Sequence, residues 1–449
     1  MSEEIKMDRR HFVTTMAGGL LAACTTLSRK KQTTAAKISP SPNGKLNIAG
    51  IGVGGMGGYN IKVASETENI VALCDVDYKY AAETFSKYPK AKKYKDYRIM
   101  LEKQKDIDAV IIATPDHTHA VIAMAAMQLG KHVYVQKPLT RTVYESRVLT
   151  EAARKYKVAT QMGNQGRSGE GIRLITEWIA DGAIGEVREV YTWTNRPIWP
   201  QGLERPQKTP KVPKHLDWDL FLGPSPYRPY NPAYHPWNWR AWWDFGTGAL
   251  GDMACHIIDP VFMALKLGYP IKVEASSTPV NNESAPHASI VRYDFPARAG
   301  MPPVKLTWWD GGLMPPRPEE LEPGRRMGDE NGGVLFIGSK GKLMSGCYAR
   351  NPRLIPETKM KEYKRPGKTI PRVKVKHEMD WVKACKGERP ACSNFDYSGP
   401  LSEVVLMGNL AIRSGKQLDW DGVNMKVTNN VPEAEQYVKP PYRAGWKLK

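Results

Sequence analysis

The chain has 449 residues, 41% of them hydrophobic and 25% charged, which excludes a disordered or fibrous protein and suits two or three domains. A formal charge of +19 raises nucleic acid as a partner, but the basic residues are spread over the whole length without a recognised motif, so no nucleic-acid binding is expected. The six cysteines include no C-x-x-C pair, which excludes a zinc ribbon or thioredoxin-like site; no metal centre is expected.

Residues 1–27 read as an export signal. Paired Arg9 and Arg10 precede a short apolar run from Met16 to Cys24, well under the ~20 residues of a transmembrane helix. The pattern resembles a twin-arginine signal, and Leu21-Ala22-Ala23-Cys24 resembles a lipoprotein processing site with Cys24 as the lipidated residue. The expected location is the periplasm or a membrane-anchored lipoprotein, with membrane contact only through that lipid. Residues 28–45 are polar, with Pro40 and Pro42, and read as a flexible linker. In an oxidising compartment Cys385 and Cys392 could bridge, a choice the sequence leaves open.

From Leu46 short apolar runs alternate with helical stretches. The runs are LNIAGIGVGG, NIVALCDVD, KKY, DAVIIATP, HVYVQKP and VATQMGN, an alternation that predicts a doubly wound parallel sheet over residues 46–165. After Gln165 the character changes. A helix over 170–185 precedes GEVREVYTWTNRP, KVEASSTPVN, SIVRYDFP, PVKLTWWDGG and GVLFIGSKGKLM, which alternate with period two. They predict one large, mostly antiparallel sheet in a second α/β domain spanning 166–449. A loop from Pro197 to Trp243, rich in tryptophan and tyrosine, interrupts its strands and is expected to be ordered. Residues 377–415 read as helical, and the stretch from VTNN onward as a tail.

Gly52, Gly54 and Gly57 form a G-x-G-x-x-G turn between the first strand and first helix, where backbone amides can approach a pyrophosphate. Asp75 ends the next strand and is placed to accept from a ribose hydroxyl; it would repel a 2′-phosphate, so NAD is preferred to NADP. Thr114 and Pro115 close the fourth strand at the edge where such sheets bind ligands. His117 and His119 follow and are expected to cap a helix bordering the cofactor, not to bind metal. Further on, GTGALGDMACHIID sets Asp252 and His256 four residues apart, on one helical face.

In this order, GVGGMG, CDVD, ATPDHTHA, VQKPLT and GALGDMACHIID resemble the Gfo/Idh/MocA oxidoreductases. The resemblance implies an N-terminal Rossmann domain and a C-terminal α/β domain whose open antiparallel sheet supports a homo-oligomer, a dimer or tetramer. It also implies a small sugar, polyol or sugar derivative as substrate. The family's E-K-P lysine falls on Lys137, before Pro138, and its D-x-x-x-H pair on Asp252 and His256. One departure is Gln136, where the family carries glutamate; Gln136 is expected beside the nicotinamide.

Oxidising a secondary alcohol needs a base for the hydroxyl proton, a role that fits His256, and a cation for developing alkoxide charge, a role that fits Lys137. Asp252 is expected either to orient the imidazole or to bind a neighbouring hydroxyl. Trp199, Trp237, Trp239, Trp242 and Trp243 offer flat faces to a sugar, about two of them within reach of ligand and the rest packing the loop. Asn195, Arg196, His235 and Arg240 offer hydroxyl partners. The expected substrate set is Asn164, Arg196, Trp199, His235 and Trp243. Outside the cytoplasm a dissociable NAD serves poorly, so the cofactor is expected to be loaded before export and to stay bound. Three functions are compatible with this: net oxidation of a sugar, polyol or glycoside hydroxyl; glycoside cleavage through transient ring oxidation; and non-catalytic binding of nucleotide and sugar.

Overall fold

The computed structural model describes residues 44–448. The signal elements Arg9, Arg10 and Cys24 lie outside the described residues.

The first sheet is built from β1 (Asn47–Ile51), β2 (Asn69–Cys74), β3 (Lys92–Tyr94), β4 (Ala109–Ile112), β5 (His132–Val135) and β6 (Thr160–Met162), in the order β3-β2-β1-β4-β5-β6 with every pair parallel. β4 and β5 are buried along their whole length, as strands covered on both faces must be. The crossovers are α1 (Met56–Ala64), α2 (Ala82–Lys87), α3 (Tyr97–Lys103), α4 (Asp116–Gln128) and α5 (Val143–Tyr156). Helix α5 opens on a capping box in which Thr142 and Glu145 satisfy each other's backbone amides.

The chain then forms α6 (Glu170–Ala180), β7 (Val187–Thr194), α7 (Trp218–Leu222), α8 (Gly248–Ile257) and α9 (Asp259–Ala264). Next come β8 (Lys272–Ser277), β9 (Ser289–Phe295), β10 (Val304–Trp309), β11 (Gly332–Gly338), β12 (Gly341–Gly346) and β13 (Arg353–Ile355). The last elements are α10 (Glu357–Glu362), α11 (His377–Cys385), α12 (Phe395–Ser414), β14 (Leu418–Asp421), β15 (Lys426–Val427) and α13 (Pro432–Val438). β7–β15 form the second sheet in the order β13-β12-β11-β7-β10-β9-β8-β14-β15. All its pairs are antiparallel except β7 with β10, which matches the mostly antiparallel expectation.

Two segments depart from a simple two-part division. Helix α11 returns to the first sheet, where Trp381 meets the Tyr134 ring at 5.7 Å and His377 Nε2 bonds the Met162 carbonyl at 2.8 Å. The terminal stretch is not a loose tail. The Arg443 amide donates to Pro224 O at 2.9 Å and its guanidinium to Gly223 O at 3.0 Å, which brings Trp446 against Tyr97 and Arg98. The same stretch buries Val431, Ala434 and Val438 in the core, but this stripe spans barely two helical turns, too short for periodicity to single out, and arginine–carbonyl and aromatic contacts hold the rest.

The 197–243 segment is ordered around its own apolar cluster, with Trp218 and Phe221 stacked at 4.8 Å and Tyr234 edge-on to Trp242 at 4.8 Å. Among the described residues no helix is long and apolar enough to cross a membrane. Cys385 and Cys392 are free thiols, as are Cys74, Cys255 and Cys347.

Candidate active site

The glycine turn after β1 is required by its packing. Gly52 has φ +74°, and a Cβ there would lie 2.7 Å from the Thr114 amide nitrogen; one on Gly57 would lie 1.8 Å from Gly52 O. Asp75 accepts from the Val53 amide at 2.8 Å and the Asp77 amide at 2.9 Å. Burial pushes its carboxyl upward against these bonds. Each oxygen keeps further acceptor capacity for a ribose hydroxyl.

Gly52, Gly54 and Asp75, with Thr114, Pro115 and Thr118, form one side of a cleft of about 280 Å³. The glycine cradle, the acid at the end of β2 and the α1 N-terminus fit a dinucleotide.

The 197–243 segment forms the other side. It is pinned to the end of β2 by Asp77, whose two oxygens bond His215 Nδ1 at 2.8 Å and His235 Nε2 at 2.7 Å. Backbone bonds reinforce this, Tyr78 N to His215 O at 3.1 Å and Asp217 N to Val76 O at 2.9 Å. Burial opposes ionisation of Asp77, but the bonds from His235, the Tyr80 amide and His215 hold its carboxyl well below the usual range. Trp446 closes a further side. The sequence carried no signal for this clamp, since Asp77 lies 138 and 158 positions from its two histidines.

Lys137 follows β5 and Asp252 lies on α8. The ammonium donates to Asp252 Oδ1 and Asp252 O, both at 2.7 Å, and Arg240 Nε lies 3.4 Å from the same Oδ1. The side chains of Lys137, Asp252 and Arg240 keep 17%, 12% and 20% exposure, so all three are reachable from solvent. Burial alone would raise the Asp252 carboxyl; Lys137 and Arg240 lower it below its ordinary value. The expectation that Asp252 orients His256 gives way to a different arrangement: its hydrogen bonds go to Lys137 and Arg240. His256 is buried, its Nδ1 has no hydrogen-bond partner among the described residues, and its ring lies 4.6 Å from that of Tyr348. Burial, with Lys137 assisting, drives its imidazole well below 6.5, so it is neutral at neutral pH.

Several expected ligand residues lie elsewhere. His117 and His119 do not cap α4 and do not line the cleft. They sit inside its first turn, where side chains point back toward the preceding loops. His117 Nε2 reaches Phe221 O at 2.7 Å; His119 reaches Pro138 O at 2.9 Å and Thr114 O at 2.8 Å. Burial lowers them to about 3 and about 4. Thr118, between them, faces the cleft instead. Gln136 turns away from it, donating to Asn60 Oδ1 at 2.9 Å.

Asn164 is fully buried away from the cleft, its amide donating to Asp259 at 3.0 Å and accepting from Ser393 at 2.6 Å. Trp199 and Trp243 are buried, their indoles bonded to Gln201 at 3.1 Å and Asn281 O at 3.2 Å. Of the tryptophans in the 197–243 segment, Trp237 and Trp239 line the cleft, their ring centroids 4.0 and 4.4 Å from the Arg240 guanidinium carbon. His235 also lines it, on the side of Asp77. Arg196 stands two residues beyond the end of β7.

Two residues that the sequence did not single out complete the picture. Asp116 accepts from Thr247 Oγ1 at 2.8 Å, and burial raises its carboxyl to about 7. It sits inside TPDHTH, so that motif was a usable signal. Tyr348 had none.

A family model described as "Oxidoreductase family, NAD-binding Rossmann fold" matches residues 46–164, and one described as "Oxidoreductase family, C-terminal alpha/beta domain" matches residues 183–297. Levoglucosan dehydrogenase of Pseudarthrobacter phenanthrenivorans is 29% identical over 188 residues, 42% of this chain and 40% of the relative. Alpha-N-acetylgalactosaminidase of Shewanella oneidensis is 29% identical over 204 residues, 40% of this chain and 44% of the relative. The chain therefore spans less than half the length of these curated relatives. A solved structure of levoglucosan dehydrogenase in complex with NADH superposes with a TM-score of 0.55 at 20% identity, over 84% of this chain and 99% of that one, a likeness of fold.

Proposed function

Because the chain belongs to the Gfo/Idh/MocA oxidoreductase family, we propose that it oxidises or reduces a secondary hydroxyl of a sugar, polyol or glycoside, using NAD held in the glycine-turn cleft. Arg240 carries this assignment: it lines the cleft and also touches Asp252, which holds Lys137, so the cofactor groove and the ionic cluster are one continuous site. Gly52, Gly54, Gly57 and Asp75 would hold the nucleotide. When bound, NAD supplies the two-electron acceptor for the carbinol carbon.

The chain's own groups handle the proton and the charge. His256, neutral through burial, takes the hydroxyl proton. Lys137 bonds the oxygen and stabilises negative charge as the O–H bond breaks. Asp252 fixes the ammonium at that point, and Trp237 and Trp239 flank the approach.

Retention of the cofactor belongs to the same proposal. The 197–243 segment and Trp446 wall the cleft, with Asp77 as the fastening. Such retention suits export directed by Arg9 and Arg10, with Cys24 as the lipid anchor. Denaturing the purified protein and identifying released nucleotide by mass spectrometry tests it. About one NAD per chain is expected, and loss of most of it in Asp77→Asn. A protein that carries and binds no nucleotide overturns the assignment.

The relative named alpha-N-acetylgalactosaminidase favours a second reading, glycoside cleavage through transient ring oxidation. Chromogenic glycosides separate the two. Aglycone release without net nucleotide reduction selects cleavage; formation of a keto sugar, one per bound NAD or more when a second carbonyl sugar is added to take the hydride back, selects net oxidation.

A further inference from the structure

At one end of the second sheet three adjacent strands deliver polar side chains that the chemistry above does not use. β7 ends at Thr194 and leads to Arg196; β11 begins at Gly332, after Asn331; β12 ends at Gly346 and leads into Tyr348 and Arg350. The registers Gly332↔Thr194 and Gly333↔Gly346 bring all of them to the same edge. Helix α8 packs there too, which sets the Tyr348 ring 4.6 Å from His256.

The turn carrying Tyr348 is held firmly. Tyr348 and Ala349 have φ of 59° and 58°, the left-handed region that side chains other than glycine seldom occupy. Two glycines press on it from outside. A Cβ on Gly166 would come 3.1 Å from Tyr348 Cα, and one on Gly171 would come 1.8 Å from Ala349 O.

One guanidinium lies beside this turn, and the charge of a second, Arg196, reaches both the Tyr348 phenol and His256. Arg350 Cζ lies 5.1 Å from the Tyr348 ring centroid. Arg196 bonds only neutral oxygens, Oδ1 of Asn195 and, at 3.4 Å, Oδ1 of Asn331, both from Nη1. Among the described residues its Nε and Nη2 carry no bond, neither arginine forms an ion pair, and the Tyr348 hydroxyl has no hydrogen-bond partner. The neighbouring acids form no ion pair with either arginine among the described residues: Asp329 Oδ1 accepts from the Asn331 amide at 2.9 Å while its Oδ2 is buried without a hydrogen-bond partner, and Glu330 accepts from Asn331 Nδ2 at 3.1 Å. Lys137 and Arg240, by contrast, both form ion pairs, sharing Asp252.

We propose that Arg196, Arg350 and Tyr348 form a carboxylate subsite beside His256, and that the sugar taken by this chain is acidic, a uronic acid or a glycoside of one. The proposal rests on the sugar-oxidoreductase reading and adds the charge of the substrate. A guanidinium presents paired N–H donors that match a carboxylate, and a phenol hydroxyl adds a third donor. The excess positive charge of the chain, +19, draws such anions toward it.

Paired substrates of one anomer, methyl glucuronide and methyl glucoside, test the subsite through the second-order rate constant for single-turnover reduction of the bound nucleotide. The acid is expected to be favoured by roughly tenfold or more, and Arg196→Gln to collapse that ratio toward one. Equal or better turnover of the neutral sugar by the native protein overturns the subsite while leaving the oxidoreductase reading intact. If neither sugar reduces the nucleotide, that reading fails, and calorimetry with glucuronate against glucose decides the subsite. Binding of the acid that weakens in both Arg196→Gln and Arg350→Gln upholds it; equal binding of the two sugars, or none, removes it.

Discussion

Lys137 donates from one ammonium to both the carboxylate and the main-chain carbonyl of Asp252, each at 2.7 Å. Two bonds to one residue fix the ammonium in direction as well as position, and tie the end of β5 to α8. Asp252→Asn keeps an acceptor but removes the charge that holds Lys137. Turnover is expected to fall by roughly 10²–10³-fold while the protein still carries its nucleotide. Single-turnover kinetics beside nucleotide content measures both, and unchanged kinetics would remove Asp252 and Lys137 from the chemistry.

His256 should govern the acid side of the activity profile. Its imidazole lies well below 6.5 because it is buried and faces Lys137. It is therefore neutral, and able to accept a proton, at every pH above that value. Activity is expected to be flat on this limb above pH 6.5 and to fall only in more acidic solution. In the folded protein Lys137→Gln should move the His256 titration upward and Asp252→Asn should move it downward, both visible by NMR. The depressed value also makes the folded state bind fewer protons than the unfolded one. The stability from this group is thus present above the unfolded value of about 6.5 and lost as pH falls toward the folded one.

Gln136 stands in a buried relay with a direction. Its Nε2 donates to Asn60 Oδ1 at 2.9 Å, and Asn60 Nδ2 donates to Glu378 Oε1 at 2.7 Å. Burial already raises the Glu378 carboxyl. Gln136→Glu, which restores the family residue, sets a second acceptor against Asn60 and should destabilise the fold by roughly 2–4 kcal/mol. Adding Glu378→Gln should return most of it, because Asn60 can then reverse its amide. Thermal unfolding of the single and double variants gives the coupling, and additive losses would show the relay to be irrelevant.

Trp237 and Trp243 should separate binding from stability. Trp237 is 46% exposed on the cleft, whereas Trp243 is buried with its indole bonded to Asn281 O. Trp243→Ala is expected to cost about 3–5 kcal/mol of stability. Trp237→Ala should cost under about 0.5 kcal/mol and raise KM for the sugar several-fold. The opposite pattern in melting temperature and KM would exchange their roles.

Much of the first half was legible because a parallel sheet writes itself locally. Each strand is a short apolar run, each crossover a helix, and the Gly52–Gly57 turn shows in its own glycine spacing between strand and helix, even though Gly52 is pressed by the distant Thr114 amide. The aromatic segment was harder. Five tryptophans have the same preference for burial, and which of them reach the cleft depends on the cluster formed by Trp218, Phe221 and Tyr234. For the same reason Trp199 and Trp243 proved to be packing residues while Trp237 and Trp239 faced the groove. His117 and His119 bordered a real ligand edge, yet the helical turn directed them to loop carbonyls and left Thr118 to the cleft.

By itself the sequence determined the alternation that builds the parallel sheet, the glycine turn, and the choice of Lys137, Asp252 and His256 as candidate residues. These depend on local spacing, which the order of residues states directly. Only the tertiary structure decided that Asp252 holds Lys137, that Asp77 fastens the long segment over the cofactor cleft, and that Tyr348 stands against His256. Lys137 and Asp252 are 115 positions apart. Periodicity tells which face a side chain takes, but a charge chooses its partner only once packing has removed both from water and brought them within hydrogen-bond reach.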